Sequence, residues 1–184
     1  IIGRLVGSEM CIRDRIKSAE KSEVVSLLTI CRLEKRKGIL PVLRCLSSLN
    51  ANNLLKPFKW NICGEGLQLE ELKENIKKLN LSNNVFLAGK INVNLKQKFL
   101  ESSDVFVMPS YKVNNSIEGF GISYVEAAAY KIPSIAGLDG GVTDAVIDSK
   151  TGWCVDPMNE ENLANVLKEA INNRTDLLNS FHEN

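Results

Sequence analysis

From Glu23 onward, short apolar runs rich in β-branched and aromatic residues alternate with longer stretches whose apolar positions recur every three or four residues. The short runs predict strands at Val24 to Ile30, Lys59 to Cys63, Val85 to Ala88, Val105 to Met108, Pro133 to Ala136 and Gly152 to Val155. Most are apolar throughout, as parallel strands buried on both faces should be. Between them, Ile39 to Leu49 carries Pro41 in its first turn with Leu43, Leu46 and Leu49 on one face, and Leu67 to Leu79 aligns Leu69, Leu72, Ile76 and Leu79. Further helices are predicted over Leu95 to Glu101, Gly121 to Tyr130, Val142 to Ile147 and Glu160 to Asn172, the last behind Asn159 as N-cap. Alternating strands and helices joined by right-handed crossovers make an α/β, Rossmann-like, doubly wound parallel sheet of about six strands.

Composition narrows this picture. A chain of 184 residues with 44% hydrophobic content supplies one domain with its own core. No apolar run approaches the roughly 18 to 20 residues that span a bilayer, and no stretch resembles a cleavable signal, so a soluble, cytoplasmic protein is expected. The cysteines at 11, 31, 45, 63 and 154 lack metal-ligand spacing and His182 is the lone histidine, which argues against disulfides, structural zinc and histidine-based catalysis. The net charge of +1 comes from scattered charges, so the basic stripe of a nucleic-acid binder is missing. Residues 1–15, IIGRLVGSEMCIRDR, share no pattern with the rest and resemble a translated sequencing adapter, in which case the natural protein continues upstream. The expected organisation is therefore that segment, a domain over 16–175, and a polar tail over 176–184.

Ligands of doubly wound sheets bind at the carboxyl ends of the strands. Arg32 and Lys37 follow the first predicted strand, Gly64-Glu65-Gly66 the second, Gly89-Lys90 the third, and Ser110 through Glu118 the fourth. The run EGFGISYVE over 118–126 is the most informative. Ile122, Val125 and Ala129 recur at helical spacing, which puts Glu118 in the loop before a helix and Glu126 about a turn and a half inside it. The free N–H groups and positive dipole end of that helix form an anion site, which Gly119 and Gly121 let a phosphate approach closely. A carboxylate beside such a site is useful when aimed at hydroxyls, since it can accept two hydrogen bonds from a vicinal diol. A diphosphate flanked by two diols is a nucleotide sugar, and a basic pair and glycine turns on the same rim suit it. Each residue also has a plainer reading: Glu118, Arg32 and Lys37 as solvated loop charges, Glu126 as an ordinary helix residue, and Gly64 and Gly66 as turn formers.

Several segments, in order, resemble the C-terminal, donor-binding domain of a GT-B fold glycosyltransferase of the retaining family 4 (group 1) type. They are Arg32-Leu33 with Arg36-Lys37-Gly38, Gly64-Glu65-Gly66, Val85 to Gly89, Ser103 to Ser110, Glu118 to Gly121, Glu126-Ala127, Gly140-Gly141 and Thr151-Gly152. The resemblance covers about residues 23–173. It implies that Glu126 holds the ribose diol and Glu118 contacts sugar hydroxyls near the anomeric centre. Arg32 and Lys37 would bind the diphosphate and stabilise the leaving nucleoside diphosphate, because fixed cations act where charge develops. Backbone N–H groups of Phe120, Gly121 and Ile122 would add hydrogen bonds, with Gly64 and Gly66 also at the donor. No cofactor or metal is expected, since Arg and Lys serve the diphosphate and no aspartate-rich pair is present.

The implied partners are a GDP- or UDP-hexose and a glycan or lipid acceptor. The acceptor would be bound by an N-terminal domain that this sequence does not include, and membrane contact at the inner face would also belong there. Two departures matter: Cys31 stands where a glycine commonly precedes the arginine, and Tyr111 to Ile117 lengthens the loop before Glu118. The alternatives are a nucleotide-binding or interaction module without catalysis, or another GT-B enzyme such as a nucleotide-sugar epimerase or a phosphorylase. The lone His182 and the lack of a cofactor-anchoring lysine motif argue against the second group.

Overall fold

The computed structural model describes residues 23–173, so the expectations for 1–15 and 176–184 lie outside the described residues. Six strands, β1 (Val25–Ile30), β2 (Phe58–Cys63), β3 (Val85–Gly89), β4 (Val105–Met108), β5 (Ser134–Ala136) and β6 (Gly152–Cys154), pair in the order β3-β2-β1-β4-β5-β6. Every pairing is parallel, and the strand order reverses between β1 and β4. The helices are α1 (Ile39–Ala51), α2 (Leu69–Lys78), α3 (Val93–Ser102), α4 (Ile122–Ala129), α5 (Val142–Ala145) and α6 (Glu160–Asn172). The predicted architecture and element order hold, with element boundaries displaced by at most two residues.

Successive strand residues point to opposite faces, and the core divides accordingly. Leu27, Trp60 and Ile62 pack with Ile39, Leu43, Leu46, Leu163, Leu167 and Ile171 beneath α1 and α6. On the other face Leu28, Phe106 and Met108 pack with Leu100, Tyr124, Ala127 and Val142. Two polar side chains in the first half pair with each other, the Trp60 indole N–H donating to Thr29 Oγ1 at 2.9 Å and the Thr29 hydroxyl donating to the Val107 carbonyl. Asn159 caps α6, accepting from the Asn162 N–H at 3.1 Å, as expected.

Three expectations are corrected. Full burial of both strand faces holds for β4 and β5, but Lys59 and Phe86 are exposed, because β2 and β3 lie toward the edge of the sheet. Leu67 is 99% exposed and precedes α2, which starts only after the turn of 64–68 is complete. The apolar face read from Ile122, Val125 and Ala129 is the wrong face of α4. Tyr124 and Ala127 are buried, whereas Ile122, Val125, Ala128 and Ala129 are exposed. The tyrosine can go inside because its hydroxyl finds partners there: it donates to the Met108 carbonyl and lies 3.2 Å from Ser110 Oγ, with its ring edge-on to Phe106.

Candidate active site at the strand carboxyl ends

The loop after β1 turns through one 3-10 turn at Lys35–Lys37 and ends on Gly38 in the left-handed conformation, which starts α1. Arg36 and Lys37 thereby face the loop after β4. Lys37 is buried, with a side chain 8% exposed, and its Nζ donates to Glu118 Oε2. Arg36 reaches the same oxygen at 2.7 Å and also holds Glu34 at 2.9 Å. Glu118 Oε1 takes no protein hydrogen bond among the described residues. Two cations thus grip one oxygen of a largely buried carboxylate, while the other has no protein partner among the described residues.

Backbone contacts hold Glu118 in place. A Cβ at Gly140 would lie 2.0 Å from the Glu118 carbonyl oxygen, with φ at 76°, and one at Gly141 would lie 2.2 Å from the Gly119 carbonyl oxygen. These glycines let the loop after β5 close on residues 118 and 119, where the Gly141 N–H donates to Gly119 O at 2.8 Å. Asp139 accepts from the Lys112 N–H at 2.7 Å, and Val113 pairs with Ser116 in a small hairpin, so the lengthened loop is tied down beside Arg36.

The helix that follows starts at the reversal of strand order. The Ser123 hydroxyl donates to the Ile30 carbonyl at 2.9 Å, fixing the start of α4 over the end of β1, while Tyr124 anchors it to the end of β4. No hydrogen bond among the described residues takes up the N–H of Phe120, Gly121 or Ile122, as at a helix N-terminus open to an anion. Glu126 lies one turn further along, a third exposed, with Lys96 Nζ donating to its Oε1 at 2.5 Å.

The remaining predicted residues fall on the same rim with different tasks. A Cβ at Gly64 would lie 1.8 Å from the Cys31 carbonyl oxygen with φ at 144°, and one at Gly66 would lie 2.3 Å from the Leu33 carbonyl oxygen. Both glycines interlock the turn after β2 with the loop after β1, through Leu33 N–H to Glu65 O at 2.9 Å and Gln68 N–H to Leu33 O at 3.1 Å. Arg32 is not brought to Glu118; its side chain is 77% exposed and meets Glu34 at 3.4 Å. Cys31 packs against both halves of the core, and burial pushes its thiol up to about 12 despite the opposing pull of the Lys37 cation.

Sequence reasoning singled out neither Arg36 nor Lys96 as a site residue. Arg36 stood within a run of three basic residues, so only the 3-10 turn chooses which of them face Glu118. Lys96 carried no local signal, because its partner lies 30 positions away. Among the described residues no group of three or more His, Cys, Asp or Glu side chains gathers to hold a metal ion.

The family model described as glycosyl transferases group 1 matches residues 12–184, and the chain belongs to that family. It is 32% identical over 147 residues to a GDP-mannose-dependent α-(1-6)-phosphatidylinositol monomannoside mannosyltransferase of Mycolicibacterium smegmatis, a match covering 79% of this chain and 37% of the relative. The corresponding protein of Mycobacterium tuberculosis is 29% identical over 165 residues, covering 89% of this chain and 42% of the relative. The chain therefore spans about two-fifths of the length of these curated relatives. Among solved structures, a Staphylococcus aureus TarM mutant in complex with UDP, fondaparinux and α-GlcNAc-glycerol superposes with a TM-score of 0.71 at 28% identity, over 91% of this chain and 32% of that one. Anabaena HepE in complex with UDP and glucose shares the fold, with a TM-score of 0.71 at 22% identity over 92% of this chain and 44% of that one. The six-stranded parallel sheet with flanking helices is thus an α/β, Rossmann-like fold that matches the GT-B glycosyltransferase neighbours.

Proposed function

We propose that this chain is the donor-binding half of a retaining, family 4 glycosyltransferase that takes a hexosyl group from a nucleoside diphosphate sugar. The observation that carries this reading is the Glu118 carboxylate, gripped on one oxygen by Lys37 and Arg36 beside the open N-terminus of α4. The N–H groups of Phe120, Gly121 and Ile122 suit the diphosphate, with Gly119 leaving room for it. Glu118 Oε1 suits a sugar hydroxyl, and Glu126 the ribose diol. As the bond from the anomeric carbon to the phosphate oxygen breaks, negative charge grows on the leaving diphosphate. Lys37 can turn toward that charge while Arg36 keeps hold of Glu118, and the exposed head of Arg32 is free to follow.

Relatives named for GDP-mannose and neighbours solved with UDP support a nucleotide sugar without choosing the base. Gly64 and Gly66 would bring backbone close to the donor in addition to shaping their turn. The acceptor, a glycan or a lipid, would come from the other half of the parent enzyme, together with contact to the inner face of the membrane. No helix among the described residues is long and apolar enough to cross a membrane. This half alone is expected to bind donor weakly and to transfer little.

Thermal unfolding of the chain with millimolar UDP, GDP and ADP and their sugar conjugates tests the reading. At about 100 times the dissociation constant, a ligand adds about 2.7 kcal/mol of stability and raises the midpoint by several degrees. A selective shift with one nucleotide is expected, reduced by Lys37→Ala and by Glu126→Ala. A cooperatively folding chain that no nucleotide shifts would favour the interaction-module reading.

A further inference from the structure

Glu126 does not stand alone: its partner Lys96 arrives from a different helix, α3, and both charges are poorly placed for their own helices. Lys96 lies in the first turn of α3, just behind the N-cap Asn92, where the helix dipole repels a cation. Glu126 lies in the last turn of α4, where the dipole repels a carboxylate. The two meet nonetheless, Lys96 Nζ donating to Glu126 Oε1 at 2.5 Å from side chains 30% and 33% exposed. Glu126 Oε2 takes no protein hydrogen bond among the described residues. Since α3 follows the carboxyl end of β3 and α4 starts over the end of β1, the pair ties together two helices that follow strands on the same rim of the sheet.

We propose that Lys96 is a positioning residue for nucleotide recognition, holding Oε1 of Glu126 so that Oε2 is presented to the ribose diol of a nucleoside diphosphate. A glutamate has three side-chain torsions, and an unpaired one must be ordered when the diol binds; a cation already holding one oxygen removes that cost. The role rests on the donor-site reading above, because it needs a ribose at Glu126.

The test compares UDP, GDP and ADP with their 2′-deoxy counterparts by calorimetric titration of the chain and of its K96M, K96R and E126A variants. A hydrogen bond to a charged acceptor sets the scale, so the unaltered chain is expected to prefer the ribonucleotide about tenfold. With K96M that preference falls to roughly threefold or less while affinity for the deoxynucleotide is kept, K96R restores most of it, and E126A abolishes it. Lys96 is partly exposed, so its variants are expected to unfold at an unchanged midpoint. An unchanged ribose preference in K96M would make the ion pair a surface contact, and equal losses for both sugars would make Lys96 a direct phosphate contact. Either result overturns the positioning role and leaves Glu126 as the ribose residue. A chain that binds these nucleotides without ribose preference, or binds none, overturns the donor-site reading and this inference with it.

Discussion

Glu118 and Glu126 are the same residue type on one short stretch of chain, yet the fold treats them differently. Glu118 has a side chain 11% exposed, two cations on a single oxygen, and a backbone clamped by Gly140 and Gly141. Glu126 is a third exposed, on a helix face between exposed Val125 and buried Ala127, with one cation reaching across from α3. The first is part of the architecture of the rim; the second is a partly exposed group held by a single cation. A nucleotide sugar would need both kinds: a rigid carboxylate near the reacting centre, where misplacement is costly, and an open one for the ribose.

That contrast can be broken most forcefully at Glu118. Glu118→Ala leaves Lys37 buried beside Arg36 without its counter-charge and is expected to cost about 3 kcal/mol or more in denaturant unfolding, the scale for breaking a buried pair. A loss under about 1 kcal/mol would put Glu118 in the same class as an exposed pair.

The glycines sharpen the comparison one step down. Gly140→Ala drives a Cβ against the Glu118 carbonyl at a strained φ, and roughly 2 to 3 kcal/mol of destabilisation is expected. Gly119→Ala meets nothing within 4 Å. Its unfolding free energy should stay within about 0.5 kcal/mol of the parent, while nucleotide affinity falls because the new methyl occupies the phosphate approach.

Glu126→Ala should change stability by only about 0 to 1 kcal/mol, as for exposed pairs, yet weaken nucleotide binding by at least about 1 kcal/mol, the worth of a charge-assisted hydrogen bond. Equal effects on both quantities would erase the distinction between the two glutamates.

The smallest effect concerns Cys31. Burial pushes its thiol up to about 12, so the neutral form prevails at pH 8 and alkylation in the folded chain should be slow, rising only in strong alkali. Rapid labelling of Cys31 at pH 8, followed by peptide mapping, would place the thiol in solvent at the rim.

The order of elements, the parallel sheet and the rim on which the candidate residues fall were legible in the sequence, because apolar runs and helical spacing are local signals that parallel topology converts into position. Glu118, Lys37 and the start of α4 were legible for the same reason. The buried face of α4 was not: Ile122 and Val125 outrank Tyr124 in hydrophobicity, and only the carbonyl of Met108 and the hydroxyl of Ser110 make it favourable to bury the tyrosine instead. The choice of Arg36 over Arg32 as the second cation on Glu118, and the meeting of Lys96 with Glu126, were likewise decided by the tertiary structure. Long charged side chains carry no periodic signal of where their heads will go, and their partners are brought within reach only when distant loops and helices close over the same end of the sheet.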